Sequence, residues 1–305
     1  MNTETGVTAQ TGPSATSSEG PDAHSAPPTR GQMWRHLGPG IVVAATGVGA
    51  GDLVATLIAG SRFGYALLWA AVVGCIVKIA LSEGSARYHL ATGSTILAGW
   101  RSLGKWTSWY FGVYVIIWGF MSATALPLTA LFPELPLRAW AIIAGIFGFV
   151  FVWFNRYETF EIVMKILVGL MFIIMVGLAF LVAPSLPDMA RGMTFELPEG
   201  SLFYTLGLIG GVGGTITTAA YGYWTQAKGW RGMPWFPMMR VDNALAYIVT
   251  GIFVIAMLIV GAELLYSAGI ALEDSDKGLL GLSGVLEERF GATIATLFLV
   301  GFAAT

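Results

Sequence analysis

Apolar runs of membrane-spanning length alternate with short polar breaks along most of the chain. A helix needs about 20 mainly apolar residues to cross a bilayer. About eight stretches reach or approach that length, at residues 38–60, 64–86, 107–131, 137–154, 160–183, 202–226, 244–266 and 290–305. The pattern predicts an all-α polytopic membrane protein. Since the last stretch reaches Thr305 without a polar exit, we expect a chain truncated after about eight transmembrane helices.

The composition agrees with a bilayer setting and argues against several other classes. Hydrophobic residues make up 55% of the chain and charged residues 11%, whereas soluble domains carry about 25% charged residues. The net charge of -2, without a basic patch, predicts no nucleic-acid partner. The single cysteine excludes an internal disulfide, and the three histidines lie too far apart for a ligand motif.

The amino-terminal segment and the charged breaks predict an orientation. Residues 1–33 begin with a stretch rich in Ser, Thr, Gly and Pro, which predicts a disordered tail. Lys and Arg concentrate in this tail and in the even-numbered breaks between spans. The excess of basic residues marks the cytoplasmic side. We therefore expect an integral protein of the plasma (cell inner) membrane with a cytoplasmic amino terminus.

Two of the spans are interrupted by glycines. The first reads "ATGVGAGDLVATLIAG" from Ala45 to Gly60 and contains Asp52, whose charge is costly at bilayer depth. The sixth reads "LGLIGGVGGTITTAAYGYW" and lies five spans later. Glycine interruptions at corresponding positions in two halves indicate a transporter site between inverted repeats.

The position of the first interruption predicts a cation site. Pro39 to Val48 would form about 15 Å of helix, half of the hydrocarbon core. Unwound backbone there frees carbonyl oxygens, which could surround a cation together with Asp52. Gly210 to Gly214 would add carbonyls from the opposite side, and Thr217 and Thr218 would add hydroxyls. Two plainer interpretations stay open: Asp52 caps a restarted helix, or the glycines only allow close packing.

Other charges within the spans have structural or relay interpretations. Lys78 and Glu83 lie in the second span, where we favour pairing with neighbouring spans over a proton or ion relay. Asp242 opens the seventh span and would complement the dipole of that helix. Glu263 lies near the other end of the same span and is expected at the interface.

Several segments are similar to one known family. "HLGPGIVVAA", "AGSRFGYALLW", "SARYHLATG" and "RYETFEIVMKILVGLM" resemble the Nramp (natural resistance-associated macrophage protein) family of divalent-metal transporters. The resemblance implies a LeuT-type inverted-repeat helix bundle that moves Mn²⁺, Fe²⁺ and related ions with protons. It places the first repeat at residues 34–200 and part of the second at 201–305. The cation would be the substrate, and no cofactor is implied.

The family's motifs are altered here. Its metal-binding aspartate falls on Gly49, and Asp52 takes the place of its asparagine ligand. Its Met-Pro-His motif falls on Thr217, Thr218 and Ala219, and the carbonyl ligand before it on Gly214. With the backbone at Gly47, these positions give Asp52, Gly49, Gly47, Gly214 and Thr217 as the expected metal site. Such an all-oxygen set favours a hard cation such as Mg²⁺.

Three other functions were weighed against metal transport. A transporter of a small organic solute would use the same interrupted helices. A receptor or sensor would bind the metal without moving it. A membrane enzyme would need a His-Glu-x-x-His run, a serine elbow or paired carboxylates, and none is present. The sequence therefore predicts no enzyme, and no oligomeric state follows from it.

Overall fold

The fold is described from a computed structural model of the chain. The structure describes residues 27, 31, 33, 37–47, 50–119, 125–154, 157–270 and 277–303. The tail expected at residues 1–33 lies almost wholly outside these residues. Within the described part all regular elements are helices.

The first half of the chain contains nine helices in the described residues. They are α1 (Pro39–Gly47), α2 (Ala50–Phe63), α3 (Leu68–Thr92), α4 (Ile96–Ser102), α5 (Lys105–Gly119), α6 (Ala125–Leu131), α7 (Leu137–Phe154), α8 (Tyr157–Leu181) and α9 (Leu186–Arg191). α1 and α2 occupy the expected first span. Val48 and Gly49, where its interruption was expected, lie outside the described residues.

The second half forms the rest of the bundle. It contains α10 (Leu202–Gly211), α11 (Thr215–Ala227), a 3₁₀ turn (Met233–Trp235), α12 (Phe236–Val260), a π-helical segment (Gly261–Tyr266), α13 (Lys277–Phe290) and α14 (Ala292–Ala303). The polar break before the eighth span therefore contains α13, although its charges had predicted only a connection. Helices repeat every 3.6 residues, so α13 can bury one side, including Leu282 and Leu286, despite its acidic residues.

Four helical stretches in the described residues are long and apolar enough to cross a membrane. They are Leu68–Thr92, Glu161–Leu181, Leu202–Ala227 and Met233–Tyr266. Three shorter apolar helices accompany them, at Val54–Phe63, Leu137–Val150 and Ala292–Gly301. Many large apolar side chains on α5, α7 and α8 are exposed, as a surface in contact with lipid requires.

The core lies around α12. This helix packs against α1, α2, α3 and α8, and its buried side chains run from Met238 to Val260. Close packing depends on glycine at Gly60 and Gly261, where a side chain on either residue would meet backbone of the other helix. The glycines let α2 and the π-helical segment approach each other directly, as small residues do between membrane helices.

Candidate cation site between α10 and α11

The sixth span is broken where its glycines predicted. α10 ends at Gly211 and α11 begins at Thr215. Gly213 and Gly214 have φ of 74° and 66°, a left-handed conformation that glycine adopts without strain. There is also no space for a side chain at Gly213, because a Cβ there would lie 2.6 Å from Tyr247 Cε1. A break within the expected run Gly210–Gly214 is thus confirmed, and the structure places it at residues 212–214.

Three oxygens meet at this break. The Thr217 hydroxyl donates to the Gly214 carbonyl at 2.8 Å and also to the Gly213 carbonyl. Thr217 is buried, with 6% of its surface exposed. Carbonyl oxygens have two lone pairs each, so one hydrogen bond leaves capacity for another ligand. Gly214 and Thr217, two of the expected site residues, are therefore brought together.

The second threonine makes a hydrogen bond inside its own helix. The Thr218 hydroxyl donates to the Thr215 carbonyl at 2.7 Å, within the first turn of α11. Its hydrogen bond stays in its own helix, whereas the Thr217 hydroxyl bonds the broken backbone. Of the two hydroxyls, that of Thr217 is therefore the one that bonds the backbone of the break.

α3 packs against both halves of the broken span and has buried polar residues between these contacts. Gly74 lies against α10, since a Cβ there would lie 3.0 Å from the Leu208 carbonyl oxygen. Further along α3, the Ser85 hydroxyl donates to the Ala219 carbonyl of α11 at 3.0 Å. Lys78 and Ser82 lie between these two contacts, with 3% and 0% of their surface exposed. Both residues therefore lie on α3 between its contacts with α10 and its contacts with α11.

The other expected site residues are placed less completely. Gly47 ends α1, which packs against α11. Asp52 lies in the first turn of α2, and its side chain is outside the described part of the structure, as is Gly49. Glu83 pairs with Arg87 of its own helix and with Arg240 of α12, whose Nε lies at 3.2 Å. These ion pairs are what a structural role requires.

Asp242 contacts the start of α1 and not the start of its own helix. Its Oδ1 accepts from the Gly38 amide at 3.0 Å, and its Oδ2 from the Gly40 amide at 2.5 Å. The Tyr221 hydroxyl donates to the same Oδ2 at 2.9 Å. Asp242 therefore satisfies the free amides of α1, which sequence reasoning missed. The signal was the pair of glycines in "HLGPG", which leave room for a carboxylate.

Glu161 forms a second charged cluster beside it. This carboxylate is 3% exposed and accepts from Lys165 at 2.6 Å and from Lys228 at 2.9 Å. Lys165 also donates to the Leu37 carbonyl at 3.4 Å. A Cβ on Gly38 would lie 2.7 Å from Glu161 Oε1. Carboxylates from α8 and α12 thus enclose the residues that start α1.

A third carboxylate lies at the opposite end of α12. Glu263 Oε1 accepts from the Tyr65 hydroxyl at 2.6 Å and from the Ser185 amide at 3.2 Å. Tyr65 lies in the turn after α2, and burial together with the neighbouring Glu263 raises the pKa of its hydroxyl. Tyr65 and Glu263 line a cavity of about 470 Å³ together with Asp188, Arg191 and Glu196. Glu263 is therefore a bonded group and not only an interfacial charge.

Side-chain metal ligands do not cluster in the described residues. No group of three or more His, Cys, Asp or Glu side chains has the geometry to hold a metal there. A cation at the break would be held by backbone and hydroxyl oxygens, with any carboxylate coming from outside the described side chains. Carbonyl and hydroxyl oxygens suit hard cations.

A helix bundle with a span broken at mid-length is typical of secondary transporters built on inverted repeats. The sequence profile of the family described as "Natural resistance-associated macrophage protein-like" matches residues 40–305. The chain belongs to this family, the Nramp family. It is an integral membrane protein with a LeuT-type helix bundle.

Individual relatives agree with this assignment. The chain is 26% identical over 292 residues to the divalent metal cation transporter MntH of Mycobacterium leprae, covering 89% of this chain and 66% of the relative. It is 24% identical over 259 residues to MntH of Bacillus subtilis, covering 79% and 60%. The chain therefore spans about two thirds or less of the length of these relatives, which are named as transporters and not as enzymes.

A solved structure has the same fold. The manganese transporter of Eremococcus coleocola, in complex with an aromatic bis-isothiourea substituted compound, superposes with a TM-score of 0.72. The match covers 92% of this chain and 64% of that transporter, at 18% sequence identity. At this identity the likeness concerns the fold, which is the one expected from the sequence.

Proposed function

We propose that the full-length protein is a secondary transporter that moves a metal cation across the membrane by alternating access. The observation that supports this most directly is the break from Gly211 to Thr215, where the Gly213 and Gly214 carbonyls meet the Thr217 hydroxyl. A break at mid-span exposes oxygens that lipid cannot satisfy and a cation can. The names of the matched relatives, divalent metal cation transporters, support the same function.

The proposed site combines both interrupted spans. Asp52 supplies the negative charge, and the backbone at Gly47 and Gly49 supplies carbonyl oxygens from the first span. Gly214 and Thr217 complete the oxygen shell from the sixth. In this arrangement residues 34–200 form the first inverted repeat and residues 201–305 part of the second. The packing of α1 against α11 supports a shared site.

We further propose that the amino terminus is cytoplasmic and that the protein lies in the plasma membrane. The distribution of Lys and Arg supports this orientation. The Gly38 end of the bundle is then cytoplasmic, and the Tyr65 end faces outward. The outward cavity has three acidic groups, Asp188, Glu196 and Glu263, beside one cation, Arg191, and this excess of negative charge would attract cations.

The donor set favours Mg²⁺ as a second candidate cargo beside Mn²⁺ and Fe²⁺. The described oxygens at the break are carbonyls and a hydroxyl, and no thioether or imidazole lies among them. Soft and borderline ligands select Fe²⁺ and heavier ions, whereas oxygen shells suit Mg²⁺ and also bind Mn²⁺.

Uptake by proteoliposomes tests the proposal. Full-length wild-type protein and Asp52→Ala are compared for uptake of Mn²⁺ and Mg²⁺, with protein-free liposomes as the baseline. Glu134→Gln, which removes an exposed carboxylate in the turn between α6 and α7, is the matched control. We expect wild type and the control to accumulate one of the ions. The uptake of that ion by Asp52→Ala should be at least about tenfold lower, equivalent to about 1.4 kcal/mol. Equal uptake by Asp52→Ala and wild type would remove the aspartate from the site.

A further inference from the structure

The same helix holds both ends of the first span. Asp242 lies near the start of α12 and bonds the residues that begin α1. Glu263 lies in the π-helical continuation of α12 and bonds Tyr65, just after α2 ends. The two carboxylates are separated by 21 residues (263 minus 242), or roughly 30 Å along a helix. That distance matches the thickness of the hydrocarbon core.

At the Gly38 end the contact is closely fitted. Asp242 is 1% exposed and accepts three hydrogen bonds from Gly38, Gly40 and Tyr221. Hydrogen bonds to a charged carboxylate are stronger than those between neutral groups, and leaving a buried carboxylate without its donors destabilises the fold. Gly40 fits only without a side chain, since a Cβ there would overlap the Asp242 backbone carbonyl, and a Cβ on Gly38 would displace the Glu161 carboxylate. The start of α1 is therefore held by geometry as well as by charge.

At the Tyr65 end the contact has fewer bonds. Glu263 Oε1 accepts from the Tyr65 hydroxyl and from the Ser185 amide. The Trp69 amide donates to the Gly192 carbonyl at 3.1 Å, which joins the start of α3 to the residue after α9. A Cβ on Gly192 would overlap the Tyr65 carbonyl. The end of α2 is thus joined to the π-helical segment and to the α8–α10 connection.

We infer that these contacts are two separate latches of the first span against α12. The Gly38 latch is Asp242 with Gly38, Gly40 and Tyr221, and the Tyr65 latch is Glu263 with Tyr65 and Ser185. Both are closed in this structure. Asp242 and Glu263 are positioning residues, because each holds one end of the first span against α12 or its π-helical continuation. During transport one latch opens at a time. This inference rests on the proposed function, in which α1 and α2 flank the cargo.

The latches differ in the strength of their contacts. Asp242 has three donors in a buried setting, whereas Glu263 is half-buried and has two. Each latch contains one hydrogen-bonded tyrosine, so removal of one hydroxyl gives a milder change than removal of the carboxylate charge. Tyr221→Phe and Tyr65→Phe are therefore the graded variants for the two ends.

Cysteine accessibility tests the latches without any measurement of transport. In full-length protein with the native cysteines replaced by serine, Ala44→Cys reports on the Gly38 end and Ser61→Cys on the Tyr65 end. Both residues are buried, at 2% and 3% exposure. The initial rate of labelling with N-ethylmaleimide is measured in proteoliposomes for each reporter with Asp242→Asn, Glu263→Gln and Glu134→Gln.

The expected pattern is specific to each end. Asp242→Asn raises labelling at residue 44 at least about fivefold and leaves residue 61 unchanged. Glu263→Gln does the reverse, Glu134→Gln changes neither, and each tyrosine variant gives a smaller increase at its own end. Unchanged labelling with both carboxylate variants, or an equal increase at both reporters with either one, would overturn the inference.

Two further measurements keep the outcomes distinct. If Asp242→Asn elutes as aggregate, the comparison is made with Tyr221→Phe, and an unchanged labelling rate at residue 44 there overturns the Gly38 latch. Labelling requires no metal, so end-specific labelling without any metal uptake would sustain the latches and defeat the proposed function.

Discussion

Asp242 and Gly40 lie 202 positions apart in the chain, yet the Gly40 amide donates to the Asp242 carboxylate at 2.5 Å. This bond joins the first span to the seventh at the point where α1 begins. It shows that the first residues of α1 are positioned by a helix from the other half of the chain. The two halves of the bundle are therefore coupled at the start of the first span.

Gly40 is expected to tolerate no side chain. A Cβ there would overlap the Asp242 carbonyl oxygen, so Gly40→Ala must displace α1 or lose the amide–carboxylate bond. Overpacking of this kind costs about 1–3 kcal/mol. We expect a melting temperature several degrees lower in detergent, measured by a thermal-shift assay.

Gly84→Ala is the matched control for this substitution. Gly84 lies in α3 with no atom within 4 Å of an added Cβ, and alanine favours a helix by about 1 kcal/mol. It should leave the melting temperature unchanged or raise it. A similar loss with both variants would contradict the close contact at Gly40.

Gly213, like Gly40, is expected to tolerate no side chain. Gly213→Ala meets two obstacles, a φ of 74° and a Cβ 2.6 Å from Tyr247. A left-handed conformation costs a non-glycine residue about 1–2 kcal/mol. Cation binding by full-length protein, measured by isothermal titration calorimetry, should be strongly weakened.

Gly210 provides the comparison within the same glycine run. It lies in α10, and an added Cβ there would meet no atom within 4 Å. Gly210→Ala should therefore bind the cation as wild type does. Retained binding in Gly213→Ala would mean that the break does not shape the site.

The Glu161 cluster predicts a non-additive pair of substitutions. Lys165→Met or Lys228→Met leaves one lysine on the buried carboxylate, so each costs under about 1 kcal/mol, since both lysines are about one third exposed. The double variant leaves Glu161 buried and unpaired, a loss of about 3 kcal/mol or more. The melting temperatures of the four proteins in this cycle measure the coupling. Simple additivity would show that either lysine acts independently of the other.

Sequence patterns located most of the helices and one of the two breaks. The run Gly210–Gly214 predicted the interruption between α10 and α11 because glycine disfavours a helix and permits left-handed backbone. The same pattern could not separate Thr217 from Thr218, since the direction of a hydroxyl depends on the exact register of the restarted helix. The first interruption, at Val48 and Gly49, stays a prediction.

Long-range contacts were beyond the reach of the sequence. From the sequence, Asp242 was expected to complement the dipole of its own helix, because spacing along the chain contains no information about a partner 202 positions away. The partners of Glu161 and Glu263 were missed for the same reason. α13 was missed because acidic residues at its ends hid the apolar side that carries Leu282 and Leu286.

Transport by the threonine variants tests the cation site most directly. Initial rates of Mn²⁺ and Mg²⁺ uptake are measured in proteoliposomes for full-length wild type, Thr217→Val, Thr217→Ser and Thr218→Val. Thr217→Val should lower kcat/KM at least about tenfold, equivalent to about 1.4 kcal/mol. Thr217→Ser should restore most of the rate, and Thr218→Val should resemble wild type because its hydroxyl bonds only within α11. Equal rates for Thr217→Val and Thr218→Val would contradict a cation held by the oxygens of the α10–α11 break.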